Sequence, residues 1–566
     1  MGVGSHRNTS VSVGLKPIAE IAADLGLLPD EWDPYGQHAA KVRLETLQRV
    51  RDRPLGRYVL VTAITPTRYG EGKTTTSIGL AMALNRLGYR AVVTLRQPSL
   101  GPVFGSKGGG TGGGAAQVLP AHVINLHLTG DAHAVAAAHN LLASVIDNHL
   151  FRGNRLGLDR NRIQWERAWA LNDRALRRAT IGEPKHTRET RFVITEASEV
   201  MAVLALASGR ADLRARLGRI VVGFSSSGVP VTADDLKAGG AMAALLTDAI
   251  RPNLLQTTEG TPTLVHAGPF ANIAHGNSSV LADEIALRCA DVVITEAGFG
   301  ADMGAEKFFD IKCRTSGRWP AVAVLVATVR ALKAHGGADR EETRVDALGP
   351  DGPDRKPSSD ALIDGCANLA KQIENVAAFG VPVVVAVNAF PTDRPEELSR
   401  VCEEAVKAGA AAAEISTHFV EGGRGAEALG RAVAEAWKSV SERRLLYADD
   451  FAVTEKIHAV ATRLYGADGI EISPEAGVAL DVLTRLGYDR LPVCLAKTPF
   501  SLSHDPNRRG RPTGFKLPVR DIRLAAGAGF LTVLCGDVTL LPGLPAVPNS
   551  ERVDVDPESG EAIGLI

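Results

Sequence analysis

The sequence predicts an α/β protein built on a mostly parallel β-sheet. Three observations carry that expectation. Short apolar runs recur along the chain: YVLVTAI (58–64), AVVTL (91–95), DVVIT (291–295), AVAVLVAT (321–328) and VPVVVAVN (381–388). Their continuous hydrophobicity suits strands buried on both faces. The first run is followed by a glycine-bearing turn and then by TTTSIGLAMALNRLG, where Leu80, Leu84 and Leu87 recur at helical spacing and Gly88 suits a C-terminal cap. Strand, turn, helix and strand together form one βαβ unit, and in open α/β sheets ligands bind at the carboxyl ends of such strands.

Taken in order, residues 1–110 with 290–380 read as a nucleotide-binding, P-loop NTPase-like core. Residues 111–289 read as an inserted, largely helical domain, on patterns such as DAHAVAAAHNLLASVIDNHL and SEVMAVLALASGRADLRARLG. Residues 381–566 form a smaller C-terminal α/β domain. The polar stretch DALGPDGPDRKP (346–357) reads as a surface loop. There is no internal repeat.

Composition excludes several function classes. The chain has 566 residues, 45% of them hydrophobic and 22% charged, as in an ordinary globular protein. The formal net charge of −1 gives no global field for nucleic acid or an anionic membrane. No apolar run nears the roughly 20 residues that span a bilayer. MGVGSHRNTS at the start lacks an apolar signal core, and His6 sits in the Ser/Thr slot of a myristoylation pattern. Cys289, Cys313, Cys366, Cys402, Cys494 and Cys535 form no CxxC pair. They read as reduced, buried thiols of a cytoplasmic protein.

The chemistry starts at the turn after the first run. TPTRYGEGKTTTS (65–77) ends as a phosphate loop should, in Gly72, Lys73 and Thr74, but Thr67 stands where such loops carry their first glycine. Lys73 can reach terminal phosphates, the Thr74 hydroxyl can ligate Mg²⁺, and backbone N–H groups at Gly70, Gly72 and the helix start face an anion. Arg96 follows AVVTL directly, so its fork lies at the ligand edge, either for a carboxylate or phosphate or for a structural ion pair. GSKGGGTGGGAAQ (105–117), with Lys107, reads either as a flexible linker or as a further anion-lining segment. NLHLTGDAHA brings His127, Asp131 and His133 close in sequence. If one helix carries HxxxD, Asp131 can orient His127 in a polar catalytic wall, a reading favoured over a metal site because HExxH-type spacing is lacking. VHAGPFANIAHGNSS supplies His266 and His275 from a loop. EAGFGADMGAEKF follows DVVIT as the phosphate loop follows its own strand, so Glu296 and Asp302 are candidates to approach Mg²⁺.

GEGKTTT, RQPSLGPVFG, NLHLTGDAHA, PVTADDLKAGGAM, GPFANIAHGNS, TEAGFGADMGAEKF, VNAFPTD, PTGFKLPVRDIR and LPGLPAVP together make the chain resemble the formate–tetrahydrofolate ligases, also called formyltetrahydrofolate synthetases, over nearly its whole length. That family's loop typically reads TPTPxGEGK and also lacks the first glycine. The resemblance implies ATP-dependent ligation of formate to tetrahydrofolate through formyl phosphate, a role in one-carbon metabolism, and a homotetramer. It implies that Thr65, Gly70, Glu71, Gly72, Lys73, Thr74 and Thr75 hold ATP. Lys73, Arg96 and Mg²⁺ at Thr74 would stabilise the transferring phosphoryl, and His127, Asp131 and His266 would line the formyl phosphate site. Phe390 matches the family's pterin-stacking phenylalanine, and Phe419 falls where the family usually has tryptophan, which gives the C-terminal domain the folate site.

The chain departs from the family at named positions. Arg68 and Tyr69 replace proline and a small residue. Gln97 stands where many bacterial members carry a glutamate tied to activation by a monovalent cation, K⁺ or NH₄⁺. Ala121, His122 and Val123 replace Met-Glu-Asp/Glu, and Ala115 replaces tyrosine. These changes leave two rival readings. One is a paralogous acyl-phosphate-forming ligase with a different carboxylate or acceptor. The other is a non-catalytic P-loop nucleotide-binding protein.

Overall fold

The computed structural model describes residues 14–68, 70–106, 109–182, 187–338, 358–439, 441–558, 560 and 562–565. Tyr69, Lys107 and the loop 346–357 lie outside the described residues. Among the described residues, a twelve-stranded sheet organises the molecule. Its strands in chain order are β1 (Trp32–Pro34), β2 (Ala40–Val42), β3 (Arg57–Ala63), β4 (Ala91–Leu95), β5 (Gly112–Gly113), β6 (Ala116–Leu119), β7 (Asn253–Thr257), β8 (Pro262–Val265), β9 (Val292–Glu296), β10 (Val322–Ala327), β11 (Val383–Asn388) and β12 (Ala412–Ser416). Their spatial order is β1-β2-β7-β8-β4-β9-β3-β10-β11-β12, with β6 against β7 and β5 against β6. From β8 to β12 in that order, every neighbouring pair is parallel. β1, β2, β6 and β7 add antiparallel pairs at the other side.

The apolar runs became central strands because both of their faces are covered. Tyr58 and Leu60 of β3 face one core, while Val59, Val61 and Ala63 face another. β10 divides in the same way, with Ala323, Leu325 and Ala327 opposed to Val322, Val324 and Val326. With a side-chain period of two, a strand hydrophobic at every position must have packing on both sides. The helix α1 (Lys73–Arg86) covers one face with Ile78, Leu80, Ala81 and Leu84. The helix Ser358–Ala377 covers the other with Leu362, Leu369 and Ile373.

The sheet takes strands from all three stretches of sequence: β7 and β8 come from within 111–289, and β11 and β12 from beyond 381. The middle stretch also carries the helices Asp131–Phe151, Glu199–Leu206 and Arg210–Arg219 and a small antiparallel sheet of Leu158–Ile163, Val221–Ser225 and Pro230–Thr232. The C-terminal stretch adds a three-stranded sheet, Val493–Ala496, Phe530–Leu534 and Asp521–Ala525. No helix among the described residues is long and apolar enough to cross a membrane.

Candidate active site

The turn between β3 and α1 is braced from within. Thr67, at the missing glycine's position, donates both its N–H (2.8 Å) and its hydroxyl (2.9 Å) to Glu71 Oε1. A glycine there would offer only the N–H. Glu71 is buried, and burial pushes its carboxyl above the usual range while Lys73 pulls it back. Gly72 caps α1 with φ +77°. That left-handed conformation favours glycine, and a side chain there would collide with Asn388 at the end of β11. Asn388 Nδ2 donates to Glu71 O at 3.2 Å. Further back, Thr65 is clamped by Asn368, Gln372 and His335, the last with Nε2 2.7 Å from Thr65 O. α1 therefore starts from a fixed point, with its free N–H groups and positive dipole end at the carboxyl edge of the sheet.

The charges gather at that edge. The Thr74 hydroxyl donates to Glu296 Oε2 at 2.7 Å, joining the end of β9 to the first turn of α1. Arg96 lies 3.6 Å from Glu296 Oε1 and donates to Pro269 O at 3.3 Å. Its Nε is buried without a partner among the described residues. Lys73 is half-buried, and loss of water pulls its ammonium below the usual lysine range, opposed by Glu71 and Glu296 and reinforced by Arg96. Gln97 is buried with its N–H on Ala267 O (2.6 Å) and its side-chain Oε1 without a partner among the described residues. Ala267 (φ +53°) and Phe299 (φ +60°) both take left-handed backbone beside this cluster, a strain that concentrates at working sites.

Asp131 and the histidines are arranged differently from the sequence expectation. His127 lies in the turn before the helix Asp131–Phe151, not on it, so HxxxD shares no helical face. Asp131 is buried and has no hydrogen bond with His127 among the described residues. It accepts from Lys41 Nζ at 2.6 and 2.7 Å and from Asn253 Nδ2 at 2.8 Å. His127 Nδ1 instead meets His133 Nε2 at 2.8 Å, on the surface. His266 is buried with Nδ1 2.6 Å from the Ser279 hydroxyl and Nε2 2.6 Å from Ala249 O. Burial holds its pKa down to about 4, so it is neutral at pH 7. His275 is also buried, with both ring nitrogens unpartnered among the described residues, and burial with Lys312 and Arg96 keeps it well below its usual range. Asp302 does not reach Thr74. It is locked by Lys497 (2.9 Å) and Gln372 (2.7 Å) inside the core.

The two aromatic candidates follow paired strand ends. Asn388 of β11 lies opposite Ser416 of β12, and Phe390 and Phe419 come two and three residues later. Phe419 is 46% exposed on the short helix His418–Glu421. Its carbonyl accepts the Ala115 N–H at 2.8 Å, so two departures from the family pattern touch. Gly79 of α1 lets this helix approach, since a side chain there would collide with the His418 ring. Arg330 lies over the Phe390 ring at 4.1 Å and donates to Gly70 O at 3.2 Å, tying the aromatic shelf to the phosphate loop. Sequence reading missed Arg330, Asn388, Lys41 and Asn253. Arg330 and Asn388 each adjoin the end of a predicted strand and were within reach of that rule, whereas nothing local marks Lys41 or Asn253.

An α/β protein with a phosphate-loop turn, a hydroxyl–carboxylate pair and converging cations at the carboxyl edge of a parallel sheet is the class that fold and site define. The formate–tetrahydrofolate ligase family model matches residues 5–566. The chain is 54% identical over 570 residues to the formate–tetrahydrofolate ligase of Saccharopolyspora erythraea, covering all of both chains. It is 55% identical over 555 residues to that of a Roseiflexus species (97% of this chain, 98% of the relative) and 52% over 558 residues to that of Cutibacterium acnes (97% and 98%). The chain belongs to the formate–tetrahydrofolate ligase family.

Proposed function

We propose that this chain ligates formate to tetrahydrofolate at the expense of ATP, giving 10-formyltetrahydrofolate, ADP and phosphate. The observation that carries the reading is the set of Lys73, Arg96 and the Thr74–Glu296 pair at one sheet edge. Full-length identity to formate–tetrahydrofolate ligases supports the substrates.

Formate is a poor acyl donor because its oxygen leaves badly. In the proposed path a formate oxygen bonds to the γ-phosphorus of ATP, and the bond to the bridging oxygen of ADP breaks. The folate amine then attacks the formyl carbon, phosphate leaves with the bonding pair, and the amine loses a proton. Phosphoryl transfer needs positioning and positive charge more than covalent help. Lys73 and Arg96 supply that charge from a braced frame, and the α1 dipole adds to it. Thr74 and Glu296 are hard oxygen donors that fit Mg²⁺, which usually takes one or two carboxylates plus substrate phosphates. Mg²⁺ held there would neutralise phosphate charge. The unpartnered Gln97 Oε1 fits a weak K⁺ or NH₄⁺ ligand, without the charge a glutamate brings. Phe390 and Phe419 are the proposed pterin shelf, since flat rings stack favourably on aromatic faces. Asp131 and His266 support this site by positioning β7 and β8, and the exposed His127–His133 pair is the candidate to carry the released proton. The same reading includes a homotetramer in one-carbon metabolism.

Turnover with ATP, Mg²⁺, formate and tetrahydrofolate tests the reading. Acid converts the product to the methenyl form, which is read by absorbance. Product that requires all three substrates is the expected result, and a smaller response to K⁺ than in glutamate-bearing relatives follows from Gln97. ATP binding without product would favour an altered acceptor or a non-catalytic nucleotide binder.

A further inference from the structure

At the opposite end of the same strands lies a second concentration of positive charge. A cavity of about 570 Å³ opens beside the amino ends of β3 and β9 and is lined by Arg53, Arg57, Arg90 and Arg288, with Leu55 and Asp291. Its volume falls within the roughly 300–1,000 Å³ of small-ligand sites. Arg57 begins β3 and Ala63 ends it, so the strand's rise puts this cavity about 20 Å from the phosphate loop.

The arginines divide into two pairs. Arg90 is fixed by Asp291, with Nη2 2.8 Å from Oδ1. Arg288 is fixed by backbone carbonyls of Arg51 and Arg53 and by Glu284 at 3.5 Å, a carboxylate that Arg318 also holds. The guanidinium groups of Arg53 and Arg57 have no hydrogen-bond or ion-pair partner among the described residues, and both side chains are exposed. Four guanidinium groups thus converge on a concavity that offers one carboxylate. Global charge does not explain this, because the chain carries a net −1. Like charges held together repel, and a bound anion removes that cost. Planar guanidinium forks match phosphate oxygens two at a time, and those of Arg53 and Arg57 are not engaged, while Arg90 and Arg288 add charge from fixed positions.

We propose that this cavity binds a small anion bearing two or three phosphate groups, independently of the phosphate loop. The probe is inorganic triphosphate, titrated calorimetrically at low salt into the full chain, its Lys73→Ala variant, and that variant with Arg53→Glu and Arg57→Glu added. The Lys73→Ala chain should keep one triphosphate site, and the added arginine changes should weaken it at least tenfold. In the otherwise unaltered chain, Arg53→Glu with Arg57→Glu should leave formyl product turnover within about twofold. The single Arg57→Ala change, at an exposed position, gives a smaller loss in the same direction and guards against a misfolded multiple variant. Absence of any triphosphate site in Lys73→Ala, or an affinity unchanged by the arginine substitutions, would overturn the proposal.

Discussion

The phosphate-loop edge and the Asp131–His266 region sit within the same sheet but treat their polar groups in opposite ways. At Asp131, both carboxylate oxygens are taken by Lys41 and Asn253, and at His266 both ring nitrogens have partners. Around Lys73 the frame is saturated while the working groups are not. Glu71 and Thr65 are held, yet Arg96 Nε and Gln97 Oε1 are buried without a partner among the described residues. A buried polar group without a partner costs about 1–3 kcal/mol. Asp131 and His266 thus have their polar atoms met by the protein, whereas Arg96 and Gln97 each keep one buried atom for a ligand to meet.

The largest expected effect breaks the saturated side. Asp131→Ala leaves the Lys41 ammonium buried without its partner, and loss of one member of a buried pair costs roughly 3–5 kcal/mol. Chemical denaturation should show that loss before any kinetic assay is informative. A variant that keeps full stability but no turnover would assign Asp131 to chemistry instead. Lys73→Ala should do the reverse, lowering kcat on the order of 10²–10³-fold, the usual cost of removing one preorganised stabilising group, with an unshifted melting curve. Near-normal turnover in that variant would refute the loop assignment.

The acid limb of stability sharpens the contrast further. Burial holds His139, His266 and His418 near pKa 4, against 6.5 for an ordinary histidine. Below pH 6.5 the unfolded chain takes up protons that the folded chain refuses, so stability falls as pH drops from about 6.5 towards 4. His266→Gln should flatten that limb in urea titrations across this range, and an unchanged slope would count against a neutral buried ring. The smallest effect is Phe419→Ala. A stacked ring contributes about 0.5–1.5 kcal/mol, so KM for tetrahydrofolate should rise roughly 2–12-fold with ATP KM unchanged. A shift in ATP KM instead would detach Phe419 from the pterin.

Much of this was legible in the sequence, but unevenly. The parallel strands were readable because β3, β4, β9, β10 and β11 each carry a run of apolar residues with few polar interruptions. β12 was not, because AAEIS is only half-buried and looks like any short mixed segment. Lys73 and Thr74 were candidates from the Gly-Lys-Thr order of the loop, and Arg96 and Glu296 from their places at strand ends. Asp131 departs from its expected pairing with His127 because a turn intervenes where helical spacing is expected. Its partners Lys41 and Asn253 lie 90 and 122 residues away, a separation that local spacing does not register. Asp302 was misjudged for the same reason, since Lys497 is 195 residues distant.

The placement of β3 has a consequence for how the protein is made. β3 is flanked by β9 and β10, and Leu60 sits beside Thr295 and Ala323. When the phosphate loop emerges from the ribosome, neither neighbour of its strand has been synthesised. At roughly 5–20 residues per second, about 235 further residues take some 12–47 seconds. During that interval YVLVTAI has two open edges, and the face of Tyr58 and Leu60 lacks the helix Ser358–Ala377 that covers it, so the segment that leads into the phosphate loop needs protection from other chains during synthesis.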